Sequence, residues 1–238
     1  MKNYTRKNIF KYKSGTNESG RSGGGSRVKS VITQEGVTVD LSKTPLVYGQ
    51  DAQLTDAQRK VIDDFEKRHL KSKIEYGTLV DANGNQLIEK RGGKDSVSMP
   101  TYYYNRAEVM SHNHPRTGDE AGYLGGTFSS ADMDTFATTA IKTMRASAAE
   151  GTYSITKGSG FNRGGFEQYF KKAESEAAQK RSKANAEAGA RFMASQITYS
   201  QYRQERANNF NTFLVDMHNA LIAGQTQCGY TYGLERRK

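Results

Sequence analysis

Residues 111–115 read Ser-His-Asn-His-Pro, and residues 129–132 read Ser-Ser-Ala-Asp. Only four histidines occur in 238 residues, yet His112 and His114 stand one residue apart. In an extended segment, residues i and i+2 point to the same side, so both imidazoles converge on one volume. Pro115 then ends strand pairing and turns the chain into a loop. Asp132, at the start of the next helix, supplies a third ligand. Two His, one Asp and an open fourth position are the donor set of a catalytic zinc site rather than a structural one. Zinc held this way lowers the pKa of its water toward ~7. A general base is then needed to take the proton and pass it to a leaving amine. A hydroxyl near the fourth position stabilises an oxyanion, and Ser129 lies about one helical turn from Asp132.

Each piece alone has a plainer meaning. Ser-x-x-Asp at a helix start is also a capping box, with Ser129 as N-cap and Asp132 three residues on. His-Asn-His-Pro alone is a polar turn. Its letters carry no nuclease meaning, because the nucleases named for them disperse the three residues over a ββα-metal finger. The combination, in this order and with Pro between, is what chance explains poorly.

For these side chains to meet, a strand must carry the histidines and a helix must begin near Ser129. Ala107 to Ser111 reads as that strand. Ser129 to Arg145 reads as that helix, with Met133, Phe136, Ala137, Ala140, Ile141 and Met144 at helical spacing. Upstream, Thr55 to His69 is predicted helical: Thr55 and Gln58 form a capping-box pattern, and Ala57, Val61, Phe65 and His69 recur at i+4. His69 there reads as a packed or surface histidine rather than a ligand. Ile74 to Val80 and Gln86 to Lys90 flank an Asn83-Gly84 pair, a strong hairpin signal. Val37 to Leu41 and Thr101 to Tyr104 add extended material, and Gly151 to Lys157 alternates as a strand does. Phe166 to Gln196 favours one or two exposed helices. Tyr199 to Ile222 is another helical stretch, and Gly229 to Gly233 reads as a closing edge strand. The order predicts a mixed α/β domain, a small sheet flanked by helices.

Hydrophobic content of 35% and 24 glycines suggest that part of the chain is unpacked. The first thirty residues hold eight basic side chains against Glu18 alone, a net of +7 out of the formal +10. With Ser19 to Ser26, which has a linker composition, they point to a flexible basic tail over 1–36. The remainder is close to balanced. Nucleic acid is therefore not an expected partner beyond weak contact by the tail. No apolar run approaches the ~20 residues of a membrane span. Ile9-Phe10 is followed at once by Lys11, so a signal-peptide core is missing. A single cysteine, Cys228, permits no internal disulfide and no Cys-based zinc cluster. These features read as an intracellular, cytoplasmic protein.

His112-x-His114-Pro115 with Ser129-x-x-Asp132 resembles the signature of the JAB/MPN/JAMM zinc metalloproteases. There a glutamate on an early strand precedes H-x-H, and S-x-x-D follows at a helix start. The chain is similar to the JAMM-like domains of phage and mobile-element proteins, including those at the ends of phage head-morphogenesis proteins. A Glu-bearing strand, an Asn-Gly hairpin, a Gly-Gly-x-x-Ser-Val stretch and S/T-H-N-H-P recur there in order. They correspond here to Glu75, Asn83-Gly84, Gly92 to Val97 and Ser111 to Pro115. The likeness spans about Lys73 to Gly160, and more loosely the C-terminal helices and Tyr230-Thr231-Tyr232.

The resemblance implies a JAB/MPN-like (cytidine-deaminase-like) core over 37–165, with helices and a closing strand over 166–238 packed on it. It implies Zn2+ held by His112, His114 and Asp132, Glu75 as general acid/base and Ser129 as oxyanion stabiliser. The activity implied is that of a peptidase or isopeptidase, encoded by a phage or mobile element. Its substrate would be a host or phage protein, such as one carrying a ubiquitin-like modifier, in the host cytoplasm. Glu108 competes with Glu75 as the base, although it would stand on the ligand strand itself. The stretch between His114 and Asp132 is longer than is usual in the family. The excess falls in Arg116 to Gly126, read as a rim or lid with Asp119, Glu120 and Tyr123 as substrate contacts; each doubling of loop length costs only ~0.6 kcal/mol. Asp119 and Asp134 compete with Asp132 as third ligand, but Asp134 lacks a serine three residues before it and Asp119 lacks a helix start. The alternative function is a non-catalytic virion, assembly or anti-defence protein on a JAMM-like scaffold, against which the complete ligand set argues. A DNA-linked role rests on the basic tail alone.

Overall fold

The computed structural model describes residues 30–32, 38–40, 46–49, 52–115 and 124–235. Most of the basic tail, and Asp119, Glu120 and Tyr123 of the expected rim, lie outside the described residues. Ser30–Ile32 (β1) pairs antiparallel with Thr38–Asp40 (β2), so three residues that composition assigned to the tail take part in a small ribbon.

Asp56–His69 (α1) opens with the expected capping box: Thr55 Oγ1 accepts the Gln58 N–H and Gln58 Oε1 accepts the Thr55 N–H. Its buried stripe is Gln58, Ile62 and Phe65, whereas Ala57 is exposed. The buried stripe is therefore centred about 50° from the face that apolar spacing suggested, with Phe65 common to both. His69 stacks on Tyr76 with ring centroids 4.0 Å apart and meets Glu89 at 2.8 Å, a packed histidine as expected.

Tyr76–Val80 (β3) and Gln86–Arg91 (β4) form the hairpin. Gly84 holds the left-handed φ of 84° that its turn requires. Thr101–Tyr104 (α2) is a single helical turn after Pro100, not a strand. Tyr103 and Tyr104 pack against the main core, and that contact overrides the β-preference of aromatic residues.

Val109–Asn113 (β5) carries His112 at its end. Ser130–Thr138 (α3) is shorter than expected, and Thr143–Ala148 (β6) is a strand. Thr138 and Thr139 hydroxyls donate to the carbonyls of Asp134 and Thr135, and Thr139 Oγ1 also accepts the Ile141 N–H. Such side-chain bonds compete with helix continuation. Ile141 and Met144 are buried all the same, which is why their spacing mimicked a longer helix; Ala140 is exposed. Gly151–Lys157 (β7), Arg163–Met193 (α4), Tyr199–Ala223 (α5), Gln225–Cys228 (α6) and Tyr230–Glu235 (β8) complete the fold.

The six strands run in the order β4-β3-β5-β6-β7-β8, an open mixed sheet in which only β5 and β6 are parallel. One face carries Leu79, Met110, Met144, Ala146, Tyr153, Ile155 and Leu234 and packs on α3, α4 and α5 through Phe136, Phe166, Leu214 and Leu221. The other face is covered by α1, where Ile62 meets Val80 and Val109. Beside that contact the second face is polar. Glu66 accepts from Arg145 Nε at 2.7 Å and from Ser111 Oγ at 2.9 Å, and the Arg145 side chain is fully buried.

Helices α4 and α5 are antiparallel, as the contacts Lys180–Asp216, Asn185–Asn209 and Arg191–Glu205 show. Between residues 178 and 206 only Ala188 is buried, so the outer turns pack on each other. The inner turns of both helices join the core. Among the described residues, no helix is long and apolar enough to cross a membrane.

Candidate metal centre

Strand register places the first histidine. Met110 pairs with Leu79 and His112 with Gly77, so His112 lies on the apolar face beneath α3, fully buried. His114 follows one residue past the strand, with its N–H on the Ser147 carbonyl (2.8 Å). The two rings stand side by side, centroids 4.8 Å apart, and their Nε2 atoms are 2.9 Å from each other. Asp132 enters from the first turn of α3: Oδ1 is 3.5 Å from His112 Nε2 and Oδ2 is 4.0 Å from His114 Nε2. All three ligand atoms lie within 4.8 Å of one another, and no other such cluster occurs among the described residues. His114 and Asp132 retain 10% and 16% side-chain exposure against none for His112, so the centre opens toward solvent on their side.

The donor chemistry fits a divalent cation. Gly126 O can only accept, so at 3.0 Å it takes the His114 Nδ1–H and leaves a lone pair on Nε2. His112 Nε2 faces that lone pair, while the buried His112 Nδ1 has no hydrogen-bond partner among the described residues. A cation between two imidazole nitrogens and a carboxylate uses all three lone pairs. Two N and one O donors suit zinc and its first-row neighbours.

Electrostatics point the same way. Burial opposes a charge on His112, but the Asp132 carboxylate outweighs it and raises the imidazole above its usual pKa. Burial also opposes ionisation of Asp132, yet His112, His114 and the Ser129 hydroxyl together hold that carboxyl well below its ordinary range. The centre is built to keep a carboxylate charged inside the protein.

Ser129 is both cap and neighbour. Its Oγ accepts the Asp132 N–H at 3.3 Å and donates to Asp132 Oδ2 at 2.7 Å, while Oδ2 also accepts the Ser129 N–H at 2.7 Å. The capping box and the ligand position are thus one arrangement: the cap holds the carboxylate that faces the histidines.

Glu75 sits just before β3, 6% exposed, and its negative charge acts on His112. Its backbone is pinned on one side by Gly93 O and Gly92 N, at 2.8 and 2.7 Å. On the other side, Asn113 Oδ1 accepts the Tyr76 N–H at 2.7 Å and Asn113 Nδ2 donates to Ile74 O at 3.1 Å. Asn113, in sequence only the spacer between two histidines, therefore continues the β3–β5 ladder with its side chain across Glu75. Glu108 is elsewhere: it binds Gln58 and Lys142 where β5 begins, the opposite end of that strand from His112. Asp134 is exposed and outside the cluster.

Three further residues make contacts that no sequence spacing shows. Asn211 of α5 accepts the Leu124 N–H at 2.8 Å, and Tyr232 of β8 donates to Thr127 Oγ1 at 2.8 Å, so the C-terminal elements hold the segment that leads into Ser129. The Tyr104 phenol is pushed up in pKa by burial, with the charge of Asp132 adding to the rise, which places it within electrostatic reach of the centre. No family model matches the chain, and neither a curated protein nor a solved structure matches it.

Proposed function

We propose that the chain is a zinc-dependent peptidase or isopeptidase of the JAB/MPN/JAMM type. The observation that carries this reading is the convergence of His112, His114 and Asp132 beside a buried Glu75. When bound, a zinc ion supplies Lewis acidity toward a carbonyl oxygen and an activated water at neutral pH.

The chain's own residues divide the remaining work. Gly126 O fixes the tautomer of His114, and the α3 cap fixes the rotamer of Asp132. Glu75 takes the proton of the attacking water on its carboxylate and returns it to the leaving nitrogen. Ser129 Oγ spends its proton on Asp132 in the resting arrangement, so serving an oxyanion requires it to exchange that partner. The substrate we assign is a protein with an amide or isopeptide bond, of host or phage origin and reached in the cytoplasm.

The test separates metal from chemistry. Purified protein should carry near-stoichiometric zinc and cleave a ubiquitin-like modifier from a lysine side chain. Glu75→Gln should keep the zinc and lose roughly 10²–10⁴-fold in rate, the usual worth of a positioned general base. Full activity in Glu75→Gln, or zinc content unaffected by His112→Ala, would sink the reading.

A further inference from the structure

The carbonyl that holds His114 belongs to a segment that does not position itself. Gly126 has a left-handed φ of 76°, and Leu214 Cδ2 of α5 lies 2.6 Å from where a β-carbon would stand. What fixes its peptide is Glu150, a buried carboxylate in the turn between β6 and β7. Glu150 Oε2 accepts the Gly125 N–H at 3.0 Å and Oε1 accepts the Gly126 N–H at 2.6 Å. The Tyr153 hydroxyl donates to Oε1 at 2.9 Å and braces the carboxylate from β7. Two consecutive amides gripped by one planar group leave the intervening peptide little freedom. The next group along the chain is the Gly126 carbonyl, 3.0 Å from His114 Nδ1.

We propose that Glu150 is a positioning residue of the metal centre, holding the Gly125–Gly126 backbone so that the Gly126 carbonyl aims His114 Nε2 at the cation. The inference rests on the metal reading of His112, His114 and Asp132, and not on hydrolysis. A turn on the surface has no need of a buried charge. Charge-assisted bonds to backbone N–H groups are roughly twice as strong as neutral ones, which suits a carboxylate set to hold a conformationally free glycine pair. Bonding behind a ligating histidine fixes its ring and raises its basicity; here the bonding runs one residue further, into the fold.

The experiment titrates the full chain with Zn2+ against a chromophoric chelator and with Co2+ by visible absorption. In Glu150→Gln the amide presents N–H to one of the two glycine donors, so one grip is lost. The Zn2+ Kd should weaken by roughly 10–100-fold, and the Co2+ bands should shift. Tyr153→Phe keeps both glycine bonds and removes only their brace, so it should weaken Kd less than Glu150→Gln does. Should Glu150→Gln fail to fold, Glu150→Asp, shorter by one methylene, carries the same expectation. A metal-free Tm that falls while Zn2+ Kd stays at the wild-type value makes Glu150 a brace of the fold alone and overturns the proposal. Wild-type protein that binds neither ion removes the metal reading itself, a result distinct from that one.

Discussion

Replacing Asn113 by alanine tests whether the residue between the histidines carries the base. Asn113 is 1% exposed. Truncation leaves the Tyr76 N–H without its acceptor and takes one of two donors from Ile74 O, which keeps the Ser72 hydroxyl at 2.8 Å. Stranding the donor costs about 1–3 kcal/mol, and a lost bond whose acceptor keeps another partner about 0.5–1 kcal/mol. The sum is roughly 1.5–4 kcal/mol, or about 3–16 °C in Tm for a domain of this size. The functional effect should be larger. The amide grips the backbone on both sides of Glu75, and a misplacement of about 1 Å costs ~10²-fold in rate. Zinc should remain bound, because neither histidine nor Asp132 touches the Asn113 side chain. Denaturant melts, amide exchange at Tyr76 and kcat measured together check this. A variant with wild-type stability and a protected Tyr76 amide would refute the clamp. If the rate fell equally in the Glu75→Gln background, Asn113 would not act through Glu75.

Two further outcomes follow from groups outside the centre. Glu66→Ala removes the main carboxylate partner of the fully buried Arg145 guanidinium, whose Nε and Nη2 lie 2.7 and 3.1 Å from it, and leaves the longer contact to Glu235 at 3.5 Å. Breaking such a pair costs about 3–5 kcal/mol, whereas an apolar replacement of both partners is far milder, and urea melts distinguish the two. Glu89 is held at a pKa of about 2, below 4.5, chiefly by its hydrogen bond to Arg68 with His69 and Gln86 adding. A depressed carboxyl stabilises the fold above its unfolded pKa, so this contribution is complete above about 4.5 and is lost as the pH falls toward about 2. Arg68 is 44% exposed, so solvent screening limits the gain to about 1 kcal/mol. Arg68→Ala should lower stability at neutral pH by that amount and flatten the loss between those two values in acid unfolding curves.

What was legible in the chain is what local chemistry decides. The Thr55–Gln58 and Ser129–Asp132 caps, the Asn83-Gly84 turn and the alternation over Gly151–Lys157 all appear where the residues place them. The same-side rule for i and i+2 brings His112 and His114 together. Failures arose where one spacing serves two structures: Ile141 and Met144 are buried beyond the helix as they would be within it. Asn113, Glu150 and Arg145 were illegible for a different reason. Their partners are 37, 25 and 79 residues away and are chosen by tertiary packing, which no local pattern encodes.

The stretch between His114 and Asp132 is long, and the geometry explains why its length matters little. β5 and β6 are the one parallel pair in the sheet, and α3 crosses between them. A ligand site at the carboxyl end of such a strand, facing the N-terminus of the next helix, is set by the strand and the helix and not by the connection. His112 is fixed by pairing with Gly77 and Ala146, and Asp132 by its own cap. The returning half of the connection is then tied down separately at Leu124 by Asn211, at Gly125 and Gly126 by Glu150, and at Thr127 by Tyr232. Residues inserted before Leu124 therefore need not move His112 or Asp132. Two of these three anchors come from α5 and β8, so the C-terminal elements belong to the centre's support, and removing β8 should loosen His114 before it unfolds the sheet.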